Sequence, residues 1–243
     1  MKAIILAAGY ATRLYPLTKD RPKALLPINE KKILDFIVDE IDTISEVNEL
    51  VVVSNHKFVP HFTEWAKERK AHFPISVLDD NTTDDTNKLG AVGDMAYAIR
   101  EKSIDEDILV MAGDNIFTFH LMDYYNYFKT KDSDCILIKH IDRLEDLQRM
   151  ANAVLDEDDR VTYLVEKPKE PKTNNAVFAS YFYKKETLPL IQQYLDEGNN
   201  PDAPGYFPSW LYEKKPVYAF AFDGECYDIG THESYKEVQE IFK

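Results

Sequence analysis

Short β-branched runs alternate with stretches of helical period through the first half of this chain, and that alternation admits few folds. Ala3-Ile4-Ile5-Leu6, Leu50-Val51-Val52-Val53, Ile75-Ser76-Val77-Leu78, Ile108-Leu109-Val110-Met111 and Cys135-Ile136-Leu137-Ile138 read as buried strands. Between them apolar residues recur on one helical face, as in Ile33, Ile37, Ile41 and Ile44, then Phe58, Phe62 and Trp65, then Leu89, Val92, Met95 and Ile99. Strands joined by helices are βαβ units, so the expectation is an α/β fold with a Rossmann-like mixed, mainly parallel sheet flanked by helices. After about residue 140 the strands outnumber the helices, in Ala153-Val154-Leu155, Val161 to Val165, Ala176 to Tyr183 and Val217 to Phe222. Asp156 to Arg160 reads as a hairpin turn between the first two of these. Helices are expected around Leu188 to Leu195, around Trp210-Leu211-Tyr212, and from about Thr231 with Tyr235, Val238 and Phe242 inward. No Gly-, Ser- or Pro-rich linker interrupts residues 1–243, which predicts one domain with two sub-regions.

Charge narrows the partners. The 243 residues carry 43 acidic against 29 basic side chains, a net charge of −14. A field of that sign repels polyanions, which argues against nucleic acid or an anionic membrane surface as partner. A phosphate ligand then requires a local cationic pocket or a metal. No run approaches the roughly 18 apolar residues of a membrane span. The two cysteines, Cys135 and Cys226, cannot build a disulfide framework or a Cys-based zinc site, so a reducing cytoplasmic setting is expected.

The segment Leu6 to Pro27 is the first that carries chemistry. Ala7, Ala8, Gly9 and Ala11 put small side chains at the carboxyl end of a strand, where open α/β sheets bind ligands and backbone N–H groups can approach them. Thr12, Arg13 and Lys23 follow, and Pro16, Pro22 and Pro27 restrain the chain between them. Taken singly, Arg13 and Lys23 read equally well as solvated surface cations; as one segment after the first strand they read as a phosphate grip. Neither the P-loop spacing nor the dinucleotide glycine fingerprint is present. Asp114, after an apolar strand and Gly113, is either a Mg²⁺ ligand or a turn residue. Asp228 is either a second ligand or an acid beside a helix cap. Glu166-Lys167-Pro168, by itself, is a surface charge pair before a proline turn.

Together these residues resemble a known family. Ala7-Ala8-Gly9, Thr12-Arg13-Leu14, Pro16, Thr18, Pro22-Lys23 and Leu26-Pro27 resemble the signature of the sugar-1-phosphate nucleotidyltransferases, typified by glucose-1-phosphate thymidylyltransferase, with Ala11 where a glycine is usual. Gly113-Asp114 resembles the family's strand-end metal aspartate. Tyr227-Asp228-Ile229-Gly230-Thr231 resembles its second metal segment, with Cys226 in place of a tryptophan. Leu89-Gly90 resembles its loop-to-helix start near the base, and Ala151 stands where many relatives have a glycine.

The resemblance implies a nucleotide-diphospho-sugar transferase fold, glycosyltransferase-A-like, with residues 1–140 mainly binding nucleotide and 141–243 mainly binding sugar phosphate. It implies metal-dependent joining of a nucleoside triphosphate, dTTP or UTP, to glucose-1-phosphate. Arg13, Lys23, Asp114 and Asp228 would be catalytic, Asp114 and Asp228 would hold Mg²⁺, and Glu166 and Lys167 would bind the sugar phosphate. Leu6, Ala7, Ala8, Gly9, Thr12 and Gly90 would join Arg13, Lys23 and Asp114 around the nucleotide. A homo-oligomer is compatible with the resemblance. The competing readings are a cytidylyltransferase for a phosphorylated aminoalcohol such as phosphocholine, and a non-catalytic nucleotide-sugar sensor. No histidine falls in the motifs, so His56, His61, His72, His120, His140 and His232 are expected to be structural or on the surface.

Overall fold

The computed structural model describes residues Met1–Phe242. From the N-terminus, β1 (Lys2–Leu6) enters the phosphate-loop candidate, and the hairpin of β2 (Pro27–Ile28) and β3 (Lys31–Lys32) leaves it for α1 (Ile33–Ile41). Next come β4 (Glu49–Ser54), α2 (Val59–Glu68), β5 (Ile75–Asp79) and α3 (Ala91–Glu101). β6 (Ile108–Ala112) and β7 (Asn115–Phe117) precede α4 (Leu121–Lys131), then β8 (Asp134–His140), α5 (Leu144–Leu147), β9 (Ala151–Leu155) and β10 (Val161–Val165). β11 (Asn175–Tyr183), α6 (Leu188–Asp196), α7 (Tyr206–Leu211), β12 (Val217–Ala221), β13 (Cys226–Asp228) and α8 (His232–Ile241) follow. Each strand expected from the β-branched runs forms, with ends within two residues of the expectation.

The chain groups into two compact units, Met1–Lys88 with Met111–Met122 and Gly224–Lys243, and Leu89–Val110 with Asp123–Asp223. The grouping therefore does not follow a cut at residue 140. Its physical reason is the three-residue antiparallel ladder of β13 on β7, with Cys226 opposite Phe117 and Asp228 opposite Asn115, which returns the last segment to the first unit.

In the first unit β1 pairs in parallel with β4, and β4 with β5. Ile4, Ile5 and residues 50–53 are fully buried, as expected of strands covered on both faces. Ala7 N–H donates to Val53 O at 2.9 Å and Gly113 N–H to Leu6 O at 3.0 Å, so the carboxyl ends of β1, β4 and β6 open at one edge. A separate apolar cluster lies under the loop: Leu14, Leu26, Ile28, Ile33, Ile116 and Ile229, closed by Tyr235 and Val238 of α8. Burying Leu14 there contributes about 2 kcal/mol and fixes the loop beside Arg13. The Thr231 hydroxyl accepts from Ser234 N–H at 3.1 Å and caps α8.

The second unit carries the order β10-β9-β11-β8-β12, antiparallel except for the parallel pair β8 and β12. Asp156 N–H donates to Arg160 O at 3.0 Å, closing the β9–β10 hairpin where the sequence places it. α4 lacks a counterpart in the sequence reading. Its inward face is aromatic: Phe128 stacks on Phe182 at 4.8 Å between centroids and Tyr124 meets the same ring edge-on at 4.7 Å. Among the described residues, no helix is long and apolar enough to cross a membrane.

Candidate active site

Two backbone devices shape the loop after β1. Ala11 has φ 48° and ψ 44°, the left-handed conformation that normally selects glycine, so the chain keeps a glycine-like path through a small residue. The buried Thr18 hydroxyl donates to Ala11 O at 2.8 Å and holds that conformation. Asn55, buried at the end of β4, donates from Nδ2 to Ala8 O at 2.8 Å. The sequence reading missed Asn55; the available signal was a polar Ser54-Asn55 pair at the carboxyl end of an apolar strand. His232 Nε2 lies 2.9 Å from Tyr15 O.

Gly9 is exposed, and a Cβ built on it meets no other atom within 4 Å. Packing therefore does not demand glycine there, and the backbone at Gly9 lies open to solvent. Gly9→Ala is expected to leave the thermal midpoint within about 1 °C, because the site is open, and to raise the KM for a nucleoside triphosphate roughly tenfold. Steady-state kinetics alongside calorimetric unfolding checks both; an unchanged KM removes Gly9 from the binding surface.

Lys23, in the short helical turn Lys23–Leu25, is the centre of the charged cluster. Its Nζ donates to Asp114 Oδ2 at 2.9 Å and lies 3.6 Å from Asp228 Oδ1. Sequence proximity does not bring these carboxylates together. Asp114 occupies the turn between β6 and β7, and the β7–β13 register sets Asp228 opposite the next residue, Asn115; Ile229 N–H then donates to Asp114 O at 3.3 Å. Gly113-Asp114 forms the expected turn, and its carboxylate faces Lys23. Gly113 sits in a tight space, since a Cβ on it would stand 3.1 Å from Ile5 Cγ2 and Ile5 would have to give by a few tenths of an ångström.

Loss of hydration and the Asp114 carboxylate push the Asp228 carboxyl above its ordinary range, while Lys23 and Arg13 pull it down. The Asp228 side chain is still 68 % accessible, so repulsion between the two carboxylates outweighs burial as the cause. Arg13 is exposed and forms no ion pair within 4 Å among the described residues. Also among the described residues, no three His, Cys, Asp or Glu side chains converge into a metal cluster. Two carboxylates that already share an ammonium have the oxygen-only chemistry of a Mg²⁺ site completed by phosphate oxygens.

Glu166, Lys167 and Gly90 belong to the second unit. The β9–β10 register, with Val165 opposite Asn152, carries Glu166 alongside Ala151. The Glu166 side chain is only 6 % accessible, and its one ionic neighbour among the described residues is Lys167, 3.6 Å from Oε1. Lys167 itself has φ 49° and its N–H donates to Met150 O at 3.2 Å. Gly90 has φ +80° and a Cβ on it would lie 2.4 Å from Pro201 O, so backbone and packing together require glycine there. A cavity of about 700 Å³ lies elsewhere in this unit, bordered by Ile99, Ile104 and Leu188, and includes none of the expected site residues.

Burial raises the Glu166 carboxyl above its ordinary value, with Lys167 opposing. In the window between the ordinary and the raised value the folded chain binds this proton more tightly than the unfolded chain, so its contribution to stability falls as pH rises through the folded value. Glu166→Gln is therefore expected to raise the thermal midpoint at pH 8, with the gain shrinking as pH is lowered towards the ordinary glutamate range. Calorimetric scans from pH 4.5 to 8 check this; a gain that grows on acidification contradicts it.

The profile of a family described as nucleotidyl transferase matches residues 2–243. The chain is 27 % identical to a glucose-1-phosphate adenylyltransferase of Clostridium acetobutylicum over 97 % of its own length, and spans 65 % of that relative, just under two thirds. It is 30 % identical to the UTP–glucose-1-phosphate uridylyltransferase AglF of Haloferax volcanii, across 75 % of this chain and 72 % of that one. A solved structure of a UDP-glucose pyrophosphorylase complexed with UDP-glucose superposes with a TM-score of 0.83 at 19 % identity, covering 99 % of this chain and 97 % of the other. That likeness establishes the mixed α/β fold class.

Proposed function

The chain belongs to the nucleotidyl transferase family, and from that premise we propose that it joins a nucleoside triphosphate, UTP or dTTP, to glucose-1-phosphate, giving a nucleoside-diphosphate sugar and pyrophosphate. A phosphate oxygen of the sugar-1-phosphate attacks the α-phosphorus; the new P–O bond forms as the bond to the β-phosphate bridging oxygen breaks, and pyrophosphate carries the electron pair away. A sugar phosphate is already anionic near neutral pH, so the step needs no general base.

The observation that carries this reading is the cluster of Lys23, Asp114 and Asp228 at the ligand-binding edge of a parallel sheet, beside a loop whose Gly9 lies open. Arg13 and Lys23 bind and orient the triphosphate and offset charge at the leaving side, which is catalysis by positioning and electrostatics. Asp114 and Asp228 would hold Mg²⁺, which when bound supplies charge neutralisation and a template for the phosphate oxygens. Glu166 accepts from sugar hydroxyls, a role suited to a buried carboxylate with a single cationic neighbour, and Lys167 holds the sugar phosphate.

The test is pyrophosphate release from purified protein with dTTP, UTP, CTP, GTP and ATP, each paired with glucose-1-phosphate, mannose-1-phosphate and phosphocholine, with and without EDTA. Release with a sugar phosphate that EDTA suppresses supports the reading. Release only with phosphocholine transfers it to an aminoalcohol cytidylyltransferase. Nucleotide binding without release across the grid overturns it in favour of a sensor.

A further inference from the structure

Glycine at 205 has no conformational reason to be there. Its φ of −73° and ψ of −12° are ordinary right-handed helical values at the entry to α7, which any residue adopts. In such a conformation alanine normally stabilises by about 0.4–1 kcal/mol through the unfolded chain. What excludes a side chain is chiefly the Glu166 carboxylate: a Cβ built on Gly205 would lie 2.0 Å from Glu166 Oε2 and 3.1 Å from its Cδ, with Ala151 Cβ also at 3.1 Å. The space of the missing side chain is filled by the end of the Glu166 carboxylate.

The loop that carries Gly205 is itself anchored. Ala91 N–H donates to Asp202 O at 3.2 Å and Val92 N–H to Pro201 O at 3.0 Å, tying the loop to the start of α3, where Gly90 faces Pro201 O. At the other end, Ser209 Oγ donates to Gly205 O at 2.7 Å. The loop is therefore held at both ends by hydrogen bonds, while the far end of the Glu166 side chain is the member that can move.

We propose that Gly205 is a positioning residue for the sugar-phosphate half of the site: the notch left by its absent side chain sets the Glu166 carboxylate in its buried pose, and the Pro201–Gly205 loop holds that notch against the Gly90 turn. This rests on the nucleotidyl-transfer reading for its kinetic consequence, though not for its structural one. Alanine at 205 expels the carboxylate from the notch and leaves the fold in place, because the severe clash is with the far end of a side chain, while Ala151 Cβ at 3.1 Å has to give by only a few tenths of an ångström.

The experiment is a double-mutant cycle of Gly205→Ala and Glu166→Ala in the full chain. In the parent, Gly205→Ala is expected to raise the KM for glucose-1-phosphate about tenfold to 100-fold with the KM for the nucleoside triphosphate within about twofold. In the Glu166→Ala background, where no carboxylate competes for the notch, the same change is expected to cost less than about threefold. Equal rises in both KM values, or independent effects of the two substitutions, overturn the proposal. A readout free of activity is the ¹³C carboxyl titration of Glu166, whose midpoint should fall towards the ordinary glutamate range in Gly205→Ala; an unmoved midpoint overturns the proposal even if the chain transfers no nucleotide. If Gly205→Ala fails to fold, the double variant must fold, and an equally unfolded double variant overturns it.

Discussion

Asp114→Asn is expected to lower kcat for pyrophosphate release about 10²–10³-fold while leaving the thermal midpoint nearly unchanged. The amide keeps the shape of the side chain at the β6–β7 turn, and the backbone bonds that fix the turn, Gly113 N–H to Leu6 O and Ile229 N–H to Asp114 O, do not involve the carboxylate. What disappears is the charge that Lys23 meets at 2.9 Å and half of the acidic pair proposed to hold Mg²⁺. Removing it also withdraws the repulsion that helps to raise the Asp228 carboxyl, so the acid limb of the pH–rate profile should move to lower pH in the variant. Triphosphate affinity by calorimetry separates the effects: binding kept and turnover lost places Asp114 at the reacting centre. Turnover within fivefold of the parent removes it from there.

Asp134→Ala, remote from any proposed chemistry, is expected to cost about 3 kcal/mol of stability, read from urea unfolding. The Asp134 side chain is fully buried at the start of β8, accepting from Lys184 N–H at 2.8 Å and lying 3.0 Å from Lys215 Nζ, with the Thr187 hydroxyl 2.8 Å from Oδ2. Burial raises its carboxyl above the ordinary range despite these partners, of which the Lys184 N–H pulls back most. Alanine leaves the Lys184 N–H and the Thr187 hydroxyl without their acceptor. Lys215 has a second acid, Glu186, at 3.7 Å, which keeps the loss near the lower end of the range for a broken buried pair. Asp134→Asn retains one acceptor and should cost less. A loss below 1 kcal/mol for Asp134→Ala contradicts this account.

Nine of the thirteen strands among the described residues and most helices were legible in sequence, because burial on both faces of strands such as β1, β4 and β8 writes uninterrupted β-branched runs, whereas the two- and three-residue strands β2, β3, β7 and β13 are too short to write one. α4 was not, although Leu121, Tyr124, Tyr125 and Phe128 keep helical spacing. Tyrosine and phenylalanine favour strands by local preference, and only the packing against Phe182 and Phe220 makes them a helical face. The loop after β1 was legible as one segment, including its small residues and two cations. The meeting of Asp114 with Asp228 was not derivable from local pattern, since it depends on a three-residue ladder between segments far apart in the chain; only the family resemblance pointed to it. Gly205 drew no reading, because nothing in the sequence marks a steric notch filled by a carboxylate 39 residues upstream.

The ladder of β13 on β7 also orders events in time. A ribosome adding about 5–20 residues per second needs on the order of 10 s to travel from Asp114 to Asp228. Throughout that interval a nascent chain carries Lys23 and Asp114 without their third partner, and Leu14 and Ile116 without the cover of Ile229, Tyr235 and Val238. A message truncated before the codon for Cys226 thereby yields a chain whose first unit can neither close its cluster of apolar side chains nor bring a second carboxylate to Lys23.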